Sequence, residues 1–217
     1  MRLRLFPKQS PTSRAATSPR RKPVAVAVTG GIGAGKSETL AAFARHGAAV
    51  ISSDEIVHEL LRSDREVKEA VRERWGEAAF GPDGGVDRSR VASRVFADHR
   101  ELAWLEALLH PRVVATYLHW REKLGELPDP PAVCVTEVPL LYEVGGEERF
   151  DAVVVVTASP EVRISRQIRP MLDREPRLIA DAEKVARADF AYVNDGTLEE
   201  LDAFVADVID RLGSGAR

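Results

Sequence analysis

Short apolar runs without polar alternation recur five times along the chain. They lie at residues 24–28, 48–51, 133–138, 153–157 and 190–193. Runs of this length and composition are typical of strands that are buried on both faces of a parallel sheet. Helical stretches separate them, so the pattern predicts an α/β fold in which helices cover a five-stranded parallel sheet. In such sheets ligands bind at the carboxyl ends of the strands.

Residues 55–131 form a long, mostly helical insertion between the second and third predicted strands. Its apolar side chains follow helical spacing in two stripes: Val67, Val71 and Trp75, and then Leu102, Leu105, Leu108 and Leu109. A turn at 81–85 separates the stripes. Pro111 predicts the start of a further helix, because proline is favoured at the first helical position. We expect this insertion to lean over one side of the strand ends.

The loop after the first strand carries the clearest chemical motif. Residues 30–37 read Gly-Gly-Ile-Gly-Ala-Gly-Lys-Ser, which fits the phosphate-binding pattern G-x-x-x-x-G-K-[ST], the P-loop. A strand precedes it and a helical segment follows, so helix N–H groups and the helix dipole would meet a polyphosphate. A plain glycine-rich turn with a solvated lysine is the alternative, and the flanking elements argue against it. We expect Lys36 to contact the β- and γ-phosphates and Ser37 to bind Mg²⁺. The residues expected at the triphosphate are Gly31, Ile32, Gly33, Ala34, Gly35, Lys36, Ser37 and Glu38.

Composition narrows the function classes. The chain has 217 residues and no apolar run near 18 residues, so we expect no membrane span. Its single cysteine, Cys134, lies in an apolar run; this excludes a disulfide framework and a cysteine-rich zinc site and suits a reducing cytoplasm. The net charge is −3 for the whole chain and −10 for residues 23–217, which argues against a nucleic-acid partner.

The first 22 residues differ from the rest, with seven basic side chains and no acidic one. Three interpretations remain open: a disordered extension or over-long start, an organelle transit segment, and a nucleic-acid-binding arm. The segment lacks the apolar core of a secretory signal. We therefore place it outside the fold.

Two acidic residues follow predicted strands at the ligand-binding edge. Asp54 comes just after the second strand and could accept the proton of a hydroxyl that attacks the γ-phosphate. A helix N-cap is an equally good interpretation of Asp54. Glu137 ends the third strand and could hold Mg²⁺ through water or bind an acceptor hydroxyl, with a capping or surface role as the alternative.

A group of arginines follows the fourth strand. Such side chains could close over the phosphates and neutralise charge during transfer. A solvated helix face would account for most of them. The group comprises Arg163, Arg166, Arg169, Arg174 and Arg177.

Beyond these motifs, the chain resembles the dephospho-CoA kinase family of P-loop kinases over about residues 24–212. Its most specific matches are Leu-Glu-Ala-Leu-Leu-His-Pro at 105–111 and Val-Pro-Leu-Leu-Tyr-Glu at 138–143. Weaker matches lie at 54–58, 86–88, 188–190 and 194–197. Four features depart from the family pattern: Ser52 where aspartate is usual, Glu38 where threonine is usual, a short lid with Leu178 where glutamine is common, and Pro170, which is expected to break the lid helix in an unusual place.

The resemblance implies a three-layer P-loop kinase fold and an activity. ATP would phosphorylate the ribose 3′-hydroxyl of dephospho-CoA, with Mg²⁺, to give CoA and ADP in the last step of coenzyme A biosynthesis. The implied catalytic residues are Lys36, Asp54 and Arg169, with Asn194 and Asp195 near the adenine of ATP. The implied acceptor-binding residues are Asp54, His110, Arg112, Glu137 and Leu140.

The implied organisation is a basic tail (1–22), core segments (23–54, 132–160 and 188–217), an acceptor-binding insertion (55–131) and a short lid (161–187). We expect a cytoplasmic monomer or weak oligomer whose partners are ATP and dephospho-CoA, with no nucleic acid and no membrane. Two other functions stay open: a kinase for a nucleoside monophosphate or sugar acid, and a P-loop protein that binds without transferring. The absence of N-K-x-D weakens a GTPase switch.

Overall fold

A single parallel sheet organises the protein. The computed structural model describes residues 22–166 and 179–215, and their five strands are β1 (Val24–Gly30), β2 (Ala49–Ser52), β3 (Val133–Glu137), β4 (Ala152–Thr157) and β5 (Phe190–Val193). They pair in parallel in the order β2-β3-β1-β4-β5. The predicted α/β fold with a five-stranded parallel sheet is confirmed, and β1 lies at its centre.

Helices cover both faces of this sheet. On one face, Val26 and Val28 pack with side chains of α1 (Lys36–Arg45) and α8 (Leu198–Gly215), among them Phe43 and Leu201. On the other face, Ala27 packs with the segment after β3, and α7 (Asp181–Ala186) contacts β4. Alternate residues of β1 thus enter two cores, which explains why this strand is apolar throughout.

The insertion folds as four helices with a core of its own. They are α2 (Ser53–Ser63), α3 (Arg65–Trp75), α4 (Arg88–Ala97) and α5 (His99–Glu126). Val67, Val71 and Trp75 are buried against Leu105 and Leu109, as the two predicted stripes require. A second cluster, in which Ile56, Val113 and Tyr117 pack with Ile51 of β2, joins the insertion to the sheet.

The predicted helix start at Pro111 is wrong, because α5 runs without a break from His99 to Glu126 with this proline inside it. An interior proline costs a helix about 3 kcal/mol, since it removes a hydrogen bond and crowds the preceding turn. The turns on both sides are held by packing: Leu109 lies in the core of the insertion and Val113 lies in the contact with the sheet. Burial on both sides of Pro111 outweighs the local cost.

A carboxylate ties α3 to α5 at the outer end of the insertion. Glu101 accepts hydrogen bonds from Arg74 Nη2 (2.8 Å) and from Trp75 Nε1 (2.6 Å). These hydrogen bonds, with Arg74 contributing most, lower the pKa of Glu101 from 4.5 to about 2. The folded state therefore favours the ionised carboxylate.

We expect the free energy of unfolding of Glu101→Gln to depend less on pH in the acidic range than that of wild type. Since the pKa is depressed on folding, the carboxylate stabilises the fold above pH 4.5 and loses this effect as pH falls towards 2. The variant should unfold at lower urea concentration than wild type at pH 7, and the difference should shrink between pH 5 and pH 3. Urea unfolding across that range measures this. Glu73→Gln, an exposed change on α3, is the control and should track wild type.

The predicted lid is only partly described. The helix α6 (Pro160–Arg166) begins it and α7 ends it, whereas residues 167–178, with Arg169, lie outside the described residues. Within residues 22–166 and 179–215, no helix has the length and apolar character needed to cross a membrane.

Candidate active site

The P-loop joins the end of β1 to the start of α1 through glycines that no other residue could replace. Gly30 has φ +147°, and a Cβ there would lie 1.9 Å from the carbonyl oxygen of Val156 on the paired strand β4. Gly35 has φ +95°, and its Cβ would lie 2.1 Å from Asn194 Nδ2. These positions let the backbone turn from strand to helix in five residues while it touches two neighbouring segments.

Asn194 and Asp195 hold the P-loop and its neighbouring loop together. The buried Asn194 side chain donates from Nδ2 to the Ala34 carbonyl oxygen at 2.9 Å. Asp195 Oδ1 accepts from the backbone N–H of Ser159 at 2.8 Å, in the loop that follows β4. Both residues thus have structural contacts in addition to the adenine contact expected from sequence, which stays a prediction.

Lys36, Glu137 and Asp54 come together at the carboxyl edge of the sheet. Lys36 donates from Nζ to the Gly31 carbonyl oxygen at 3.0 Å. Burial lowers the pKa of Lys36, while the charges of Glu137 and Asp54 oppose that change. Burial likewise raises the pKa of Glu137, and the charge of Lys36 opposes it. The Lys36 cation therefore lies near both carboxylates, which the sequence had placed at the same edge of the sheet.

Ser52 connects the two carboxylates. It lies opposite Glu137 in the β2–β3 register, and its hydroxyl accepts from the backbone N–H of Asp54 at 3.3 Å. A hydrogen bond between Ser52 and Glu137 also lowers the pKa of that glutamate. Since Ser52 caps α2, the N-cap interpretation of Asp54 is wrong and its carboxylate is not used for capping. A hydroxyl here bonds to Glu137, whereas a carboxylate would repel it.

The unusual Glu38 points away from the loop. Its Oε1 accepts from Arg45 Nη1 at 3.0 Å, and Arg45 Nη2 is 3.0 Å from Asp202 Oδ1 on α8. The side chain expected among the triphosphate contacts is therefore held along α1. The N–H of Glu38 still lies in the first helical turn, where it has no intrahelical acceptor.

We expect Arg45→Met to weaken ATP binding by freeing Glu38 to repel the phosphates. Both side chains are more than a third exposed, so the repulsion is about 1 kcal/mol and the KM for ATP should rise about fivefold. Adding Glu38→Gln should restore the KM. Arg211→Met, which removes the exposed pair with Asp207, is the matched control in steady-state assays. A KM that stays raised in the double variant would contradict this explanation.

Two arginines of α6 lie close to the P-loop. Arg163 lies against Gly31, where an added Cβ would be 2.6 Å from its Nη1, and it is paired with Asp181. Arg166 Nη1 lies 3.6 Å from where a Cβ of Gly35 would be. The sequence favoured Arg169, which is outside the described residues. Arg163 belongs to the same predicted group. It follows β4 closely along the chain, and β4 pairs with β1, so its position indicated that it could reach the P-loop.

A buried ion pair lies beside this site. Lys184 on α7 is 1% exposed, and its Nζ is 2.7 Å from Glu143 Oε1. Glu143 also accepts from the backbone N–H of Ile179 at 3.1 Å. The charge of Lys184 contributes to the lowered pKa of Lys36, so the two ammonium groups lie near each other. Sequence reasoning missed this pair; the Val-Pro-Leu-Leu-Tyr-Glu motif flagged Glu143, but nothing marked Lys184.

Open space beside Asp54 continues along the insertion. A cavity of about 260 Å³ is lined by Asp54, Glu55, His58 and Arg88. His58 and Arg88 lie in the family matches at 54–58 and 86–88, but neither was predicted as a site residue. Of the other predicted acceptor-binding residues, Leu140 is half-buried after β3, and His110 and Arg112 lie on α5. Neither of the two α5 residues lines this cavity.

The Arg112 side chain is already engaged by the protein. Arg112 Nη2 is 3.1 Å from Glu66 Oε2, and Nη1 donates to the Leu108 carbonyl oxygen at 2.9 Å. His110 is exposed on the same helix. Their roles in binding the acceptor stay predictions.

The chain is similar to known proteins over most of its length. A profile of the family described as dephospho-CoA kinase matches residues 24–200. The dephospho-CoA kinase of Streptomyces avermitilis is 40% identical over 190 residues, which cover 84% of this chain and 91% of that protein.

Two solved structures share the fold. TT1252 from Thermus thermophilus has a TM-score of 0.68 at 32% identity, covering 88% of this chain and 99% of that one. Dephospho-CoA kinase from Campylobacter jejuni has a TM-score of 0.65 at 23% identity, covering 89% and 98%. The predicted P-loop kinase fold is confirmed, and the chain belongs to the dephospho-CoA kinase family.

Proposed function

We propose that the protein transfers the γ-phosphoryl group of ATP to the ribose 3′-hydroxyl of dephospho-CoA, giving CoA and ADP. This is the last step of coenzyme A biosynthesis. The observation that carries the proposal is the convergence of the P-loop, Lys36 and Asp54 at one edge of the sheet, in a chain of this family. The bond between the γ-phosphorus and the bridging oxygen breaks, a bond to O3′ forms, and the hydroxyl proton passes to the Asp54 carboxylate.

Each residue of the site has a distinct part in this proposal. The N–H groups of residues 31–38 bind the triphosphate at the start of α1. Lys36 neutralises the negative charge on the β- and γ-phosphates while that charge moves onto the leaving ADP. Asp54 accepts the proton, and Arg163 or Arg169 neutralises charge on the transferred group. Glu137 holds Lys36 in its charged form and faces the acceptor hydroxyl.

The residues also fit Mg²⁺. Within the described part of the chain, no group of three or more His, Cys, Asp or Glu side chains could hold a metal ion by itself. Mg²⁺ keeps several waters and binds through one or two protein oxygens plus substrate phosphates. Ser37 is exposed at the start of α1 and would supply the hydroxyl ligand, with Glu137 acting through water. When bound, the ion neutralises phosphate charge.

Other residues and segments contribute to substrate binding. Asn194 and Asp195 lie beside the adenine; His110, Arg112 and Leu140 contact the acceptor within the 55–131 insertion. The 161–187 segment acts as a lid, and residues 1–22 stay outside the catalytic fold. The enzyme works in the cytoplasm as a monomer or weak oligomer, which light scattering would test.

An ADP-release assay with a panel of acceptors tests this function. We expect release with ATP, Mg²⁺ and dephospho-CoA, and none above background with nucleoside monophosphates, shikimate or gluconate. A chain that begins at Lys22 should release ADP with the same acceptors as the full-length chain. Turnover of a nucleotide or sugar acid but not of dephospho-CoA would refute the proposal, as would tight ATP binding with no transfer to any acceptor.

A further inference from the structure

Two adjoining cavities form one groove that leads away from Asp54. The first, of about 260 Å³, is lined by Asp54, Glu55, His58 and Arg88. The second, of about 440 Å³, is lined by Arg62, by His58 and Arg88 again, and by residues of the 81–87 turn. Because His58 and Arg88 line both, a ligand that enters at Asp54 and extends along the groove passes these two side chains.

Arg88 is the cation at this junction that is not already neutralised. Its Nη1 donates to His58 Nδ1 at 2.9 Å, and it makes no ion pair with any carboxylate within residues 22–166 and 179–215. Arg62, by contrast, is bonded to Glu59 Oε2 at 2.6 Å. Arg90, next on α4, is paired with Asp87 Oδ2 at 3.1 Å.

The carboxylates in the second cavity are also occupied. Asp87 Oδ1 caps α4 by accepting from the N–H groups of Ser89 and Arg90. Asp83 Oδ1 accepts from the N–H of Gly85 at 3.1 Å. Asp54 and Glu55 lie at the other end of the groove, in the first cavity. An anion at the junction would therefore meet a guanidinium that has no carboxylate partner among the described residues, beside two acids of the second cavity that already accept hydrogen bonds.

The proposed acceptor, dephospho-CoA, has an anionic group that would lie at the junction of the two cavities. In dephospho-CoA the same ribose carries the 3′-hydroxyl and, on C5′, a diphosphate that leads to the pantetheine arm. With the 3′-hydroxyl at Asp54, the diphosphate lies one ribose away, within reach of the other side chains of the first cavity. The second cavity, beside Pro82 and Val86, then lies where the less charged arm must go.

We infer that Arg88 binds the diphosphate of the acceptor and that His58 positions the guanidinium. This inference rests on the proposed function and assigns a specificity-determining residue to it. A planar guanidinium can bond two phosphate oxygens at once, which a lysine ammonium cannot match. For the hydrogen bond from Arg88, His58 must be neutral with its proton on Nε2.

The test measures binding and turnover of Arg88→Met, with Arg65→Met as the control. Arg65 is 86% exposed and pairs only with Glu69 at 3.7 Å within the described residues. For Arg88→Met we expect kcat/KM for dephospho-CoA to fall roughly 10- to 100-fold, the loss typical of a charged hydrogen bond. The KM for ATP and the thermal unfolding temperature should stay at the wild-type values. Arg88→Lys should recover part of the loss, and Arg65→Met should change nothing.

Salt dependence separates a phosphate contact from a structural effect. The Kd of dephospho-CoA, measured by titration at several NaCl concentrations, should rise with salt less steeply for Arg88→Met than for wild type. An unchanged Kd, or a raised Kd with an unchanged salt dependence, would overturn the inference. A wild-type protein that neither binds nor phosphorylates dephospho-CoA would instead refute the proposed function.

Discussion

Lys36→Ala is expected to lower kcat by roughly 10³-fold, the lower end of what cationic groups contribute to phosphoryl transfer. Lys36 is the cation between the P-loop carbonyl of Gly31 and the two acids Glu137 and Asp54. Its removal takes a positive charge from the β- and γ-phosphates at the moment when charge moves onto the leaving ADP. Single-turnover kinetics with saturating ATP would measure the loss.

The same change should alter Glu137. Without Lys36, the positive charge that opposes the effect of burial is lost, and the pKa of Glu137 rises further. Lys36→Arg keeps the charge and should retain part of the stability but little activity, because the wider guanidinium fits a loop shaped around an ammonium poorly. Circular dichroism and thermal unfolding would check that the alanine variant is folded. A folded Lys36→Ala enzyme within tenfold of wild type would remove Lys36 from the proposed mechanism.

Asp54→Asn is expected to lower kcat by about 10²- to 10⁴-fold while the KM for ATP stays within about twofold. The amide cannot accept the hydroxyl proton, yet its size matches the carboxylate. The backbone of this turn is held by the Ser52 hydroxyl, so the substitution leaves the helix start intact. Steady-state rates with both substrates varied would separate the two constants.

Glu55→Gln is the matched control for Asp54. Glu55 is the next residue of α2, is exposed, and lines the same cavity. It should retain at least about a third of the wild-type kcat, since Glu55 takes no part in the proposed proton transfer. Equal losses in the two variants would mean that the negative charge of the cavity matters and that Asp54 has no special function as the base.

The sequence predicted the parts of the site that depend on local pattern and on parallel topology. Once the apolar runs indicate parallel strands, residues just after two of them must share an edge with the P-loop, which is why Asp54 and Glu137 were found. The strand ends lie within two residues of their predicted positions for the same reason.

What the sequence could not predict depends on contacts between distant segments. Asn194 bonds to Ala34 across 160 positions, and nothing near either residue indicates the partner. The predicted helix start at Pro111 was wrong because α5 is kept continuous by burial against residues of other helices. Arg163 lies against Gly31 because β4, the strand before it in the chain, pairs with β1 in the sheet.

A crystal structure with a non-hydrolysable ATP analogue, Mg²⁺ and dephospho-CoA would test the proposed site. We predict the triphosphate on the N–H groups of residues 31–37, with the ribose 3′-oxygen of the acceptor about 3 Å from the Asp54 carboxylate. A triphosphate bound elsewhere, or an acceptor whose 3′-oxygen lies far from Asp54 in the closed complex, would contradict it.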